Sequence, residues 1–213
     1  MPFETAPTYV FDLHCDTLDR LALHKTFPDA GFMGQDAAIP DARMSSLANN
    51  DCHIALDRMA KAQHAWCQCF AAFIPDHMPA DWGWQVFCTV RDFFQSQLAE
   101  HAALIEQVRD ARDIRDIVAT GKCAGMFTVE GGSFIEGSLD RLHAAADAGV
   151  KMLTLTWNGK NAIASGNVTT DGLSTFGAQV VHVMEQRRMV VDVSHLNDTS
   201  FWDVVKASSR PFA

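Results

Sequence analysis

CAGMFTVEGG, at residues 123–132, is a short apolar run that ends in a carboxylate and two glycines. A run of this length, bounded by turn residues, is typical of a buried β-strand. Similar runs, which alternate with longer amphipathic stretches, cover residues 9–14, 65–74, 150–157 and 189–194. This alternation predicts repeated βα units, and therefore a parallel sheet with right-handed crossovers.

The stretches between these runs predict helices and loops. Helices are predicted over residues 84–107, 111–119, 138–148, 176–188 and from 197 or 198 to 207. Ser138, Ser174 and either Asn197 or Asp198 are placed to cap the last three helices. Residues 25–40 and 158–172 are rich in Gly, Asn, Asp and Thr, which predicts loops.

An open doubly wound sheet and a closed (β/α)₈ barrel both fit this order. No Gly-rich nucleotide-binding motif follows a predicted strand. Polar residues gather instead where the strands end, namely His14, Asp16, Glu130, Asn158 and His195. Active sites of (β/α)₈ barrels form at that face, so we expect an α/β barrel. Five βα units and the start of another strand at residues 210–213 are too few to close it, so we expect a barrel truncated after about five units.

Composition excludes several functional classes. The formal net charge of −9 has the wrong sign for a nucleic-acid or anionic-membrane binder. The first residues lack the basic and apolar regions of a secretory signal. Six cysteines in a chain of 213 residues are then expected to be reduced thiols in the cytoplasm.

Four of the residues at strand ends could ligate a metal ion: His14, Asp16, Glu130 and His195. His14 and Asp16 are two positions apart, so both side chains should point to one side and could grip one metal. Cys15 should point away from them and pack in the interior. Glu130 precedes two glycines, and its two carboxylate oxygens could bridge two cations.

Each residue alone also fits a purely structural role. His14 could be a hydrogen-bonded histidine beside a helix-capping Asp16, whereas Glu130 could lie in a surface turn and His195 in the core or at its rim. Together they are more specific, because imidazole and carboxylate groups suit zinc. Two zinc ions about 3.5–4 Å apart can hold a hydroxide and polarise a carbonyl, which would hydrolyse an amide or ester without a serine or cysteine nucleophile.

Four ordered blocks resemble the membrane dipeptidase (renal dipeptidase) family of zinc metallopeptidases. They are FDLHCDTL at 11–18, VEG at 129–131, LTLTWN at 153–158 and VDVSH at 191–195. The resemblance implies a (β/α)₈ TIM-like barrel of the metal-dependent hydrolase type, of which residues 1–213 would be the N-terminal part of a single domain. It also implies two zinc ions and a dipeptide substrate.

The resemblance further implies a role for each site residue. His14 and Asp16 would bind one zinc ion, and His195 the other. Glu130 would bridge both ions and is the residue assigned as catalytic. Trp157 and Asn158 are expected to bind substrate, although Trp157 stands where some family members have a substrate-binding histidine. A further metal-binding histidine, an arginine and an aspartate of the family pattern would lie beyond Ala213.

The expected function is that of a binuclear zinc dipeptidase, which hydrolyses a dipeptide by means of a metal-bound hydroxide. One alternative is another metal-dependent amidohydrolase, acting on an N-acyl amino acid or a cyclic amide. The other is a non-catalytic metal-binding fragment, if the chain truly ends at Ala213. We expect no nucleic-acid or membrane partner, and a homo-oligomer is one assembly that the sequence leaves open.

Overall fold

The structure is a computed structural model, and it describes residues 9–23, 43–62, 64–76 and 79–213. The loop predicted at 25–40 lies outside these ranges. Strands and helices alternate along the described chain, which confirms the predicted α/β fold class. Within the described residues, we find no helix with the length and apolar character needed to span a bilayer.

Six strands and seven α-helices make up the described chain. The strands are β1 (Tyr9–Asp12), β2 (Ala65–Phe73), β3 (Ile105–Gln107), β4 (Cys123–Glu130), β5 (Val150–Thr154) and β6 (Val190–Asp192). The helices are α1 (Thr17–Leu23), α2 (Leu56–Ala62), α3 (Ala80–Glu100), α4 (Ala111–Ala119), α5 (Leu139–Asp147), α6 (Thr175–Gln186) and α7 (Asp198–Ala207).

The chain divides into two compact units. The first comprises Met1–Ala71 and Thr89–Phe127, and the second comprises Ala72–Cys88 and Thr128–Ala213. The prediction that residues 1–213 belong to one barrel domain stays a prediction.

In the first unit, parallel pairing joins β1 to β2 and β3 to β4. The register places Tyr9 opposite Ala65, and Ile105 opposite Cys123. Residues 67–71 of β2 and 123–127 of β4 are all buried. Such continuous burial is expected for parallel strands covered on both faces, and it explains why these runs are almost entirely apolar, with Gln68 as the exception, rather than alternating.

In the second unit, β5 lies between β4 and β6 in the strand order, and β5 pairs with β6 in parallel, with Met152 opposite Val190. Trp84, Phe87 and Phe134 stack against one another, with Phe87 and Phe134 ring centroids 4.9 Å apart. Stacking of this kind shows that these aromatic side chains pack the second unit together.

Ala213 takes the position of a residue in the next parallel strand. Its N–H donates to Val191 O over 3.0 Å, and its carbonyl accepts from Val193 N over 2.9 Å. This is the evenly spaced hydrogen-bond pattern of a parallel ladder. No strand is assigned at residues 210–213, so the predicted strand start is represented only by these two hydrogen bonds of Ala213.

The predicted helix over residues 84–107 is wrong at its C-terminal end. Helix α3 ends at Glu100, the turn closes with Leu104 N donating to His101 O over 2.8 Å, and Ile105 begins β3. The side chain of Ile105 is 1% exposed. The apolar stripe of α3 runs on into this strand, so periodicity alone did not separate them, and the number of strands predicted was one too few.

The predicted helix ends are otherwise close to those observed. Ser174 accepts from Gly177 N over 2.8 Å, and Asn197, rather than Asp198, accepts from Ser200 N over 2.8 Å. Ser138 precedes α5 as predicted, but its side chain makes no capping hydrogen bond. Helix α5 therefore begins where it was predicted to begin, but without a hydrogen bond from its first turn to the Ser138 hydroxyl.

Candidate metal centre

In the first unit, His14 and Asp16 follow the end of β1 and lie against each other. His14 Nε2 is 3.0 Å from Asp16 Oδ1, and the two side chains are 47% and 55% exposed. The backbone N–H of His14 also donates to Asp12 Oδ1 over 3.3 Å. The hydrogen bond from His14 outweighs partial burial and lowers the pKa of the Asp16 carboxyl, so this group is ionised at neutral pH.

Cys15 faces the interior, as the alternation of side chains predicted. It is 6% exposed, and burial raises the pKa of its thiol to about 12. A thiol with that pKa is almost wholly protonated near pH 7 and is a poor nucleophile and a poor metal ligand. Cys15 is therefore a packing residue between two polar neighbours.

In the second unit, Glu130 ends β4 and meets His195. Glu130 Oε1 is 3.0 Å from His195 Nε2, and the glutamate side chain is only 12% exposed. Its carbonyl accepts from Ile74 N over 2.8 Å. Gly131 follows with φ +97°, and a Cβ there would lie 2.1 Å from Ile74 O. Only glycine fits this close approach, so the backbone that carries Glu130 is held in one position.

His195 lies three residues beyond the end of β6, and its backbone has φ +67°. This left-handed conformation is uncommon for a residue with a side chain. His195 Nδ1 lies 3.4 Å from Asn158 Oδ1, and the ring centroid lies 6.1 Å from that of Trp157. The imidazole therefore has a carboxylate at one nitrogen and an amide oxygen at the other.

Asp76 is a residue of this region that the sequence did not single out. It follows β2, and its carboxylate accepts hydrogen bonds from the loop that carries Trp157 and Asn158. The rule that polar residues collect at strand ends applies to Asp76 as well as to His14 and Glu130. Its position, two residues after the predicted strand at 65–74, is the signal that could have identified it.

Within each unit, the structure brings one group of the predicted site residues together. His14 contacts Asp16 in the first unit. Glu130, His195, Asn158 and Trp157 lie together in the second unit. Each group pairs an imidazole nitrogen with a carboxylate oxygen, which is the donor chemistry that zinc prefers in proteins. Metal binding by these residues, and substrate binding by Trp157 and Asn158, stay predictions.

A sequence model of the membrane dipeptidase family, peptidase family M19, matches residues 5–213. The chain belongs to this family. The resemblance inferred from the four sequence blocks is therefore confirmed.

Two solved metallopeptidases have a similar fold. One is from Rhodobacter sphaeroides and was solved with a phosphinate mimic of the dipeptide L-Ala-D-Ala; it is 22% identical, with a TM-score of 0.81, and the alignment covers 97% of this chain and 64% of that one. The other is the dipeptidase AC of family M19, which is 24% identical, with a TM-score of 0.80 and coverage of 97% and 62%.

A protein of Acinetobacter calcoaceticus, described as uncharacterized and encoded in the PQQ-III 3′ region, is 28% identical over 123 residues. That alignment covers 54% of this chain and 39% of the relative. The chain thus spans less than two thirds of each of these relatives. Membership of the membrane dipeptidase family implies a metal cofactor, and the two groups of imidazole and carboxylate donors fit that requirement.

Proposed function

We propose that this chain carries part of the active site of a metal-dependent dipeptidase that uses two zinc ions. His14 and Asp16 would hold one zinc ion, His195 the other, and Glu130 both. The observation that carries the proposal is the 3.0 Å contact between Glu130 Oε1 and His195 Nε2 in a member of the membrane dipeptidase family. Glu130 is the last residue of β4, and His195 follows β6.

Residues of the second unit orient the His195 imidazole and shield the Glu130 carboxylate. With zinc bound, Asn158 Oδ1 could accept a hydrogen bond from the Nδ1–H of His195, and this tautomer would leave the lone pair of Nε2 for the metal. The low exposure of Glu130 keeps water from competing for its oxygens. Bound zinc would supply a Lewis acid for the peptide carbonyl and would lower the pKa of a water molecule.

A dipeptide is the proposed substrate. The Rhodobacter sphaeroides metallopeptidase was solved with a dipeptide mimic, which supports this class of ligand. Trp157 packs edge-on against Phe73, with ring centroids 5.3 Å apart, and its ring lies near His195. We propose that Trp157 gives an apolar wall to the substrate and that Asn158 contacts it by hydrogen bonding.

The test is an assay of the full-length protein, loaded with zinc, on dipeptides and on N-acyl amino acids. We expect hydrolysis of dipeptides and loss of that activity in Glu130→Gln, which keeps the shape of the side chain but removes its charge. Hydrolysis of N-acyl amino acids alone would favour the other amidohydrolase function instead. Asp203→Asn, which changes a carboxylate on α7, is the matched control and should retain activity.

We also propose that the protein works in the cytoplasm, without a nucleic-acid or membrane partner. All six cysteines are free thiols, as expected in a reducing compartment. The net charge of −9 opposes binding to phosphate-rich surfaces. Cell fractionation would test the location, and retention on a heparin column in 50 mM salt would contradict the proposal about partners.

A further inference from the structure

We infer that Asp76 is a positioning residue, which fixes the 156–159 loop so that Asn158 holds His195 in the orientation needed to bind metal. This inference rests on the proposed function, because His195 matters only if it is a ligand. All the residues involved belong to the second unit.

The carboxylate of Asp76 accepts three hydrogen bonds from this loop. Oδ1 lies 2.9 Å from Thr156 Oγ1 and 3.2 Å from Trp157 N, and Oδ2 lies 2.8 Å from Gly159 N. These partners are about eighty residues away along the chain. Hydrogen bonds to an ionised acceptor are stronger than those between neutral groups, so one side chain can hold the whole loop.

The contacts of Asp76 bracket Asn158. Trp157 N and Gly159 N, one residue before and one after, both donate to the carboxylate. On the other side of the loop, Asn158 O accepts from Val168 N over 3.0 Å and Gly159 O accepts from Gly166 N over 2.6 Å. Asp76 thus pairs with two N–H groups of the loop and the segment at 166–168 with two of its carbonyls, which holds the backbone on both sides of Asn158.

Asn158 passes this restraint to the imidazole. Its Oδ1 lies 3.4 Å from His195 Nδ1 and accepts from Asn167 Nδ2 over 3.2 Å, so the amide is oriented with its oxygen towards the histidine. His195 Nε2 lies 3.0 Å from Glu130. A connected path therefore runs from Asp76 through Asn158 and His195 to Glu130. Groups that orient a metal-binding histidine in this way commonly change metal affinity about 10–100-fold when they are mutated.

Asp76→Asn is the informative substitution. The amide oxygen can still accept from Thr156 and Trp157, but the NH₂ group faces Gly159 N and cannot accept from it. Thr156→Val is a milder second variant, because it removes the hydroxyl and keeps both backbone hydrogen bonds to Asp76. Asp203→Asn is the control: Asp203 also accepts from a backbone N–H, that of Leu173 over 3.3 Å, and it has no contact with His195 in the structure.

The first measurement is made without metal. Amide hydrogen exchange reports how firmly the loop is held, and NOEs between the rings of His195 and Trp157, whose centroids lie 6.1 Å apart, report the position of the imidazole. We expect the Gly159 N–H to exchange faster and these NOEs to weaken in Asp76→Asn and, less strongly, in Thr156→Val, while Asp203→Asn matches the wild type. Unchanged exchange and NOEs in Asp76→Asn would overturn the inference, and this result does not depend on zinc.

The second measurement is zinc affinity by competition with a chromophoric chelator. We expect about a tenfold loss in Asp76→Asn, while its thermal unfolding stays cooperative. Affinity equal to that of the wild type in Asp76→Asn would contradict the inference. A wild-type protein that binds no zinc would contradict the proposed function instead, and the exchange and NOE measurements would then decide the role of Asp76.

Discussion

At the scale of single residues, Glu130 and His14 should differ when each is replaced by alanine. Glu130→Ala should lower the content of both metals, because one side chain is proposed to serve both, whereas His14→Ala should mainly empty one position. Zinc content of the full-length protein, measured by mass spectrometry of the metal, distinguishes them. Loss of a single zinc ion in both variants would reject the bridging role. Cys15→Ser is the control and should leave metal content nearly unchanged, since Cys15 faces the interior.

Gly131→Ala should destabilise the protein, because the backbone there has φ +97° and a Cβ would lie 2.1 Å from Ile74 O. Backbone strain alone costs about 1–3 kcal/mol, and the collision adds to it. Gly137→Ala is the matched control: its φ is +77°, but a Cβ there would meet nothing within 4 Å. Urea unfolding should show a larger loss of free energy of unfolding for Gly131→Ala. Equal losses would mean that the backbone around Ile74 moves aside.

Reactivity of the cysteines should follow their burial. Burial raises the pKa of the Cys15 thiol to about 12 and that of Cys67 to about 11, whereas Cys88 is partly exposed. In native protein at pH 8, we expect iodoacetamide to modify Cys88 first and to leave Cys15 and Cys67 intact. In urea all of them should react. Early modification of Cys15, located by peptide mass spectrometry, would contradict the interior position.

The positions of the candidate ligands could be predicted because they depend on a simple rule. A polar residue that interrupts an apolar run marks the end of a strand, and this placed His14, Glu130 and His195. The left-handed backbone of His195 and the loop contacts of Asp76 could not be predicted in this way. They depend on partners far along the chain, and no local pattern of residues reports them.

At the scale of secondary-structure elements, the main error concerns α3 and β3. Propensity and periodicity describe a segment and its own neighbours, but β3 exists because Ile105 pairs with Cys123. Three residues are too few to show an alternation of their own. The helices α4, α6 and α7, in contrast, have capping or turn residues in the sequence at their ends. Their predicted bounds lie within two residues of those observed.

Glu185, on helix α6, should make the stability of the protein depend on pH. Burial alone would raise the pKa of this carboxyl, but hydrogen bonds from Ser209 N, Ser209 Oγ and Arg210 N outweigh it and lower the pKa. The folded state thus prefers the ionised form. Its contribution is fully present above the unfolded pKa of about 4.3 and is lost as the pH falls through the lower folded value.

Glu185→Gln should therefore reduce the free energy of unfolding at pH 7 by about 1–3 kcal/mol. The difference from the wild type should shrink between pH 5 and pH 3. Urea unfolding of Glu185→Gln and of the wild type at several pH values measures this. A difference that stays constant with pH would show that the packing of Glu185 matters and its charge does not.

At the scale of the whole molecule, zinc should stabilise the folded state. A ligand that binds only the native protein adds about 2.7 kcal/mol when its concentration is 100 times its dissociation constant. We expect EDTA to lower the Tm of the zinc-loaded protein. The drop should be smaller in His14→Ala, because this variant binds less zinc that EDTA could remove. A Tm that is the same with zinc and with EDTA would contradict metal binding by the folded chain.

The backbone of His195 has a consequence for protein engineering. At φ +67°, asparagine should cause less backbone strain than histidine, since its short side chain can hydrogen-bond locally in the left-handed region. A thermostability screen with no activity readout would therefore tend to recover asparagine at this position and lose the imidazole. Under the proposed function, the residue that best suits this backbone and the residue that binds metal differ, so a library built on this chain should keep position 195 fixed.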